Sequence, residues 1–193
     1  MPSSIILIML ATLIFAVIHS LLATQSIKQR CYAHNISQQR YRLLYVATAI
    51  LLTGLWLAFI FTLPDRALYH LDGIAEISAV SLQGLALLIL WLSLRPIDVA
   101  AFLGLRPFPD GIEPFIERGI YRHIRHPMYS GLILLQAAAP VQTCNSLTLL
   151  GAVTVYFVIG ARFEERRLLA GHPAYGDYRR RVPAFIPGTG PRR

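Results

Sequence analysis

Ser4–Ala23 reads SIILIMLATLIFAVIHSLLA, and this run decides the fold class. Its one ionisable residue is His19, near its end. Crossing the hydrocarbon core of a bilayer takes about 20 apolar residues of helix, which this run supplies. Two more runs of the same kind follow. Leu43–Leu63 stops at Pro64-Asp65, and Ile74–Leu94 carries Glu76 and Gln83 and stops at Arg95-Pro96. Met128–Val141 and Leu147–Ala161 are shorter, split by the polar turn Gln142-Thr143-Cys144-Asn145-Ser146. A helix of roughly 14 residues rises about 21 Å, short of a core about 30 Å thick. The reading is therefore an all-α integral membrane helical bundle of about five transmembrane helices, the last two a short helical hairpin. That hairpin either dips into the membrane or is a pair of tilted helices lengthened by polar residues at their cytosolic ends.

Composition agrees with a membrane protein. Of 193 residues, 55% are hydrophobic and 15% charged, and the mean hydropathy is +0.52. A soluble domain carries about a quarter charged residues. The length fits one domain, 1–193, with three transmembrane helices in 1–94, a chemistry-bearing part in 95–187 and a tail in 188–193. A net charge of +8 would suit nucleic acid, but in so apolar a chain it marks cytoplasmic loops lying against anionic lipid. Membrane lipid is thus an expected partner and nucleic acid is not. Met-Pro-Ser-Ser at the start lacks the basic region of a signal peptide. Cys31 and Cys144 stand alone, without a CxxC or paired histidines, so neither a disulfide nor a metal site is expected. Nothing in the sequence assigns an oligomeric state.

Positive residues orient the chain. Lys28, Arg30, Arg40 and Arg42 separate the first two runs, and Arg95, Arg106, Arg118, Arg122 and Arg125 follow the third. Six more arginines lie between Arg162 and Arg181, whereas the segment between the second and third runs holds only Arg66 against Asp65 and Asp72. The N-terminus is expected outside and the C-terminus in the cytoplasm, in a bacterial inner membrane.

Two polar segments remain, Arg95–Pro127 and Arg162–Pro187, and the hairpin joins their ends. Pro127 disfavours helix at His126 and suits the first turn of a helix, so a helix should begin there with unpaired N–H groups facing the boundary. Arg122, Arg125 and His126 cluster at that start, an arrangement suited to a carboxylate or phosphate, or to lipid headgroups. Past the hairpin come Glu164 and Glu165, carboxylates at a membrane boundary, where charge needs a partner or a function. Adjacent helical residues face about 100° apart, so one of the two must point into the bundle. Either could instead pair with neighbouring arginines. Tyr121 and Tyr129 offer faces for a ring or a cation. A ligand with an anionic end, a cationic centre and an aromatic ring matches this set, and S-adenosylmethionine has all three. The strand, glycine-rich loop and helix of a soluble methyltransferase are missing.

Arg125-His126-Pro127-Met128-Tyr129-Ser130-Gly131, then Asn145, then Glu164-Glu165-Arg166-Arg167-Leu168, then Tyr175-Gly176-Asp177-Tyr178 and Val182–Pro187 resemble the integral-membrane methyltransferases. That group includes the isoprenylcysteine carboxyl methyltransferases and phospholipid N-methyltransferases. The likeness covers roughly Phe115–Pro187. In the N-terminal half, His19–Ala23, Tyr41–Tyr45 and Ile97-Asp98 with Phe102–Leu105 look like the NnrU and methanethiol S-methyltransferase branch. The resemblance implies a membrane enzyme that uses S-adenosylmethionine. It implies cofactor contacts at Glu113, Pro114, Phe115, Ile116, Tyr121, His126, Pro127, Met128, Tyr129 and Glu164, with Glu165 beside them, and catalytic positioning by Arg125, His126 and Glu164.

One departure concerns the acceptor. Where the isoprenylcysteine enzymes carry a substrate-contacting arginine, four residues before the first glutamate, this chain has Gly160. Arg162 is the nearest basic residue, on another helical face. The expected acceptor is therefore a small thiol or lipophilic molecule, with Arg162 and His19 as candidate substrate residues. His19 could equally be an interhelical hydrogen-bond pin. Isoprenylcysteine-type carboxyl methylation and phospholipid N-methylation stand as alternatives. Two others are an NnrU-like membrane accessory role and kinship with NAD(P)H-dependent sterol reductases. The arginines of Ala174–Arg181 read as solvated or lipid-facing.

Overall fold

The computed structural model describes residues 2–108 and 114–189, so Glu113 lies outside the described residues. The described chain divides into two compact units, Met1–Arg66 with Asp98–Pro114 and Ala67–Ile97 with Phe115–Arg193.

The first unit is built on α1 (Pro2–Leu22) and α3 (Gln38–Phe61), with α2 (Gln25–Ala33) between them and the single turn α5 (Val99–Phe102) added later in the chain. Pro2 sits where a helix tolerates proline, and no breaker follows for twenty residues. Thr24 and Ser37 cap α2 and α3, each side chain accepting a backbone N–H, as short hydroxyls do at helix starts. The two long helices are tied at both ends. Ser4 Oγ donates to the Pro64 carbonyl at 2.9 Å, and the Tyr41 hydroxyl donates to the Leu22 carbonyl. Between them Phe15 stacks on Trp56 at 4.7 Å, and the Tyr45 hydroxyl lies 2.9 Å from His19 Nε2. Arg42 holds the α5 segment, donating from Nε to the Phe102 carbonyl at 2.7 Å beneath the Phe108 ring. At Gly104, φ is +80° and a Cβ would stand 2.5 Å from the Leu43 nitrogen. Only glycine permits both that backbone and that approach.

The second unit comprises β1 (Ala67–His70), α4 (Ile74–Leu94), a 3₁₀ turn at Gly119–Arg122, α6 (Pro127–Ala137), β2 (Val141–Thr143), α7 (Cys144–Gly171) and α8 (Tyr175–Arg181). α6 packs along α4, where a Cβ on Gly131 would stand 2.9 Å from the Leu90 side chain. Gln83 Nε2 reaches the Leu135 carbonyl at 3.2 Å in the same seam. β1 and β2 pair antiparallel, Tyr69 opposite Gln142 and His70 opposite Val141. The α6–α7 turn therefore lies at the boundary where α4 begins.

Four described helices are long and apolar enough to cross a membrane: α1, α3, α4 and α7. The chain is an integral membrane protein of the all-α class, as its hydropathy indicates. The last pair of helices differs from the expected short hairpin. α6 has 11 residues and α7 has 28, about 16 Å against 42 Å at 1.5 Å per residue. Pro127 opens α6 and the β2 pairing closes it. α7 opens earlier than the polar turn suggested, because Thr143 and Ser146 form a reciprocal capping box. It continues through Arg162–Ala170, whose arginines, glutamates and leucines are good helix formers, until Gly171-His172-Pro173 stops it.

Candidate functional site

The polar centre of the second unit forms where the start of α6, the end of α7 and the segment after α8 converge. His126 caps α6 without a side-chain hydrogen bond, and Pro127 holds the first helical position. The backbone N–H groups of Arg125 and His126 donate to the carbonyls of Pro183 and Ala184, both at 2.9 Å, and Ser130 Oγ donates to the Phe185 carbonyl at 2.8 Å. The segment after α8 is thereby strapped across the start of α6.

Glu165 is the hub. Its Oε1 accepts from Arg125 Nε at 2.8 Å and lies 2.7 Å from Arg125 Nη2 and 3.0 Å from His126 Nε2. Its other oxygen lies 3.1 Å from Arg179 Nε. The His126 and Glu165 side chains are buried, at 5% and 7% exposure, and that of Arg125 is largely covered, at 11%. Arg125 Nη1 also donates to the Arg179 and Val182 carbonyls. Such a desolvated carboxylate is stable only because each oxygen is matched by a donor.

Glu164, the next residue, faces another way. Its side chain is 37% exposed, accepts the Tyr129 hydroxyl at 3.1 Å, and lies 3.8 Å from His126 Nδ1. An aromatic column backs it: His126 stacks on Tyr129 at 5.4 Å and Tyr129 on Phe157 at 4.5 Å. Tyr121 donates to the Ser93 carbonyl at 3.4 Å and accepts the Tyr178 hydroxyl on its own carbonyl at 2.7 Å. Burial, reinforced by the charge of Glu164, pushes the Tyr121 phenol up to about 12. Burial likewise raises Tyr175 to about 12, with Glu165 adding to it. Both rings are neutral phenols at physiological pH.

Of the residues singled out in the sequence, Arg125, His126, Tyr129, Glu164 and Glu165 come together, and Tyr121 lies within the field of Glu164. Pro127 is buried beneath them and Met128 is half-buried. Phe115 belongs to a neighbouring cluster with Tyr175 and Tyr178, at ring distances of 5.3 and 5.0 Å. Ile116 is half-buried, and Pro114, assigned to the first unit, is exposed. Arg162 is exposed on α7, and His19 sits in the first unit beside Tyr45. Arg122 departs from the expected cluster: it lines a separate recess with Arg118 and Arg181. Arg179 was missed, since it pairs with Glu165 instead of facing solvent or lipid alone. Its signal was faint, one arginine among three. Phe157 carried no signal beyond apolarity.

A polytopic helical membrane protein with a buried Arg–His–Glu knot beside a half-exposed glutamate defines the class. Residues 7–186 match the family described as NnrU protein, and the chain belongs to that family. It is 31% identical to methanethiol S-methyltransferase 2 of Bradyrhizobium diazoefficiens, over 93% of this chain and 72% of that protein. It is 29% identical to the methanethiol S-methyltransferase of Mycobacterium tuberculosis, over 90% of this chain and 74% of that one. The enzyme of that name from Pseudomonas deceptionensis is 26% identical over 96% of this chain and 74% of its own length. No solved structure matches the chain.

Proposed function

We propose that this chain is a membrane-embedded methyltransferase that moves a methyl group from S-adenosylmethionine to a small thiol. The observation that carries the reading is the division of labour between two adjacent carboxylates. Glu165 is saturated by Arg125, His126 and Arg179, whereas Glu164 is held by Tyr129 and remains part-exposed beside an aromatic column. A half-hydrated carboxylate against aromatic faces suits a cationic ligand. The names of the relatives point the same way and favour methyl transfer over a reductase or an accessory role.

S-adenosylmethionine, when bound, supplies a methyl group activated by a sulfonium. Glu164 and Tyr129 would hold its cationic part, Tyr121 and the start of α6 at His126–Met128 its remaining polar groups, and Phe115 and Ile116 would border it. Arg125 and Glu165 act behind them, fixing the His126 ring and the first turn of α6. Methyl transfer depends on alignment, and the knot behind the site would keep the start of α6 in place. A thiol must release its proton to water, and a guanidinium beside it, Arg162 in this reading, would favour the thiolate. The whole of 1–193 then works as one domain, with its N-terminus outside and its C-terminus in the cytoplasm.

Calorimetry on detergent-purified protein tests the donor site. S-adenosylhomocysteine should bind, and His126→Ala or Glu164→Ala should each weaken it at least tenfold, about 1.4 kcal/mol. Unchanged affinity in both variants removes the site, and binding of NADPH instead points to a reductase. The acceptor is tested by methyl transfer from labelled donor to methanethiol and to a prenylcysteine analogue. A carboxylate acceptor needs a fixed cation beside it in a dry pocket. Gly160→Arg would supply one, since a Cβ at Gly160 meets no atom within 4 Å. Efficient methylation of the analogue by the unaltered protein, with methanethiol ignored, makes it a carboxyl methyltransferase.

A further inference from the structure

The second unit holds another basic site that methyl transfer does not use. A recess of about 440 Å³ is lined by Glu117, Arg118, Arg122, Tyr178, Arg181 and Val182, within the size range of small-ligand sites. Three guanidiniums face one carboxylate there. Arg122 is exposed and has no hydrogen-bond or ion-pair partner among the described residues. Arg181 lies 3.7 Å from Glu117, both side chains more than half exposed, and exposed pairs of this kind hold weakly. Arg118 donates one N–H to the Pro96 carbonyl at 3.2 Å, which leaves most of its fork available.

That Pro96 contact gives the recess its depth. Pro96 lies two residues past the end of α4, a helix long and apolar enough to span the bilayer. At the same helix end the Arg95 guanidinium rests on the exposed Trp91 ring at 4.8 Å. Tryptophan and arginine at the end of a spanning helix mark the headgroup level. The recess therefore opens within one guanidinium's reach of the layer that carries lipid phosphates.

We propose that Arg118, Arg122 and Arg181 bind the phosphate of an anionic phospholipid. The phosphodiester accepts from the guanidinium forks, whose planar geometry matches it. Glu117 disfavours a second negative charge and offers an acceptor to headgroup hydroxyls.

Native mass spectrometry of the full chain, released from detergent and titrated separately with phosphatidylglycerol and phosphatidylcholine, tests this. Phosphatidylglycerol should be retained at low concentration and phosphatidylcholine should not. Arg122→Gln combined with Arg181→Gln should weaken phosphatidylglycerol binding at least tenfold, while Arg66→Gln, in the segment before β1, leaves it unchanged. Arg122→Gln alone should weaken it about fivefold and keeps the test valid if the double variant does not fold. Equal retention of the two lipids, or unaltered affinity in the variants, overturns the proposal. Displacement of the lipid by millimolar inorganic phosphate also overturns it, by making the recess a site for soluble anions.

Discussion

The two units are held together by different physics. In the first, α1 and α3 meet through single hydroxyl-to-carbonyl bonds at their ends, Ser4 to Pro64 and Tyr41 to Leu22, with aromatic stacking between. Ile6, Leu13, Ile50 and Leu51 are exposed on their outer faces, as lipid-facing residues are. In the second, one buried carboxylate collects two arginines and a histidine from two separate stretches of chain. A structure of the first kind loses its contacts one at a time. The second kind fails as a whole, because each partner removed leaves an unmatched charge out of water.

The largest effect expected from that contrast is at Glu165. Glu165→Ala leaves Arg125 and His126 buried without their acceptor and should destabilise the second unit by about 3–5 kcal/mol. Thermal melting in detergent measures it, and a loss no larger than that of a surface pair would show that the knot is not structural. Glu164→Ala, one residue away, should lower stability by only about 1 kcal/mol, the worth of one hydrogen bond.

Next comes Gly104→Ala, expected to cost the first unit about 1–3 kcal/mol through its positive φ and the overlap with Leu43. The same melting experiment reads it, and a neutral result would mean that the α5 segment is not pressed against α3. Ser4→Ala should cost about 1 kcal/mol. A double variant with Tyr41→Phe should be near the sum of the two singles, since the ties lie at opposite helix ends. Strong coupling would show that the first unit is knotted as the second is.

The smallest effect emerges only in alkali. The folded-state pKa values of Tyr121 and Tyr175 stand near 12, above the usual value of about 10. Their contribution to stability is complete below pH 10 and is lost as pH rises from 10 to about 12, because the unfolded chain gives up those protons first. Tyrosinate absorbance should show a late-titrating class that Tyr121→Phe reduces. If every tyrosine ionises near pH 10 in the folded protein, the burial of this cluster is wrong.

Hydropathy and length alone determined the membrane class and three of the four spanning helices, because about 20 apolar residues have no other economical fate in water or lipid. Proline chemistry determined the start of α6 at Pro127. Residue type and spacing assembled Arg125, His126, Tyr129, Glu164 and Glu165 as one candidate set. The tertiary structure alone decided which glutamate is buried. Helical geometry sets Glu164 and Glu165 about 100° apart but not the phase of α7, which depends on how α7 packs on α6 and where Arg179 returns. It also decided the length of α7, the pairing of β1 with β2 and the removal of Arg122 to a recess of its own. Each of these depends on contacts between residues far apart in the chain, which periodicity along one element does not encode.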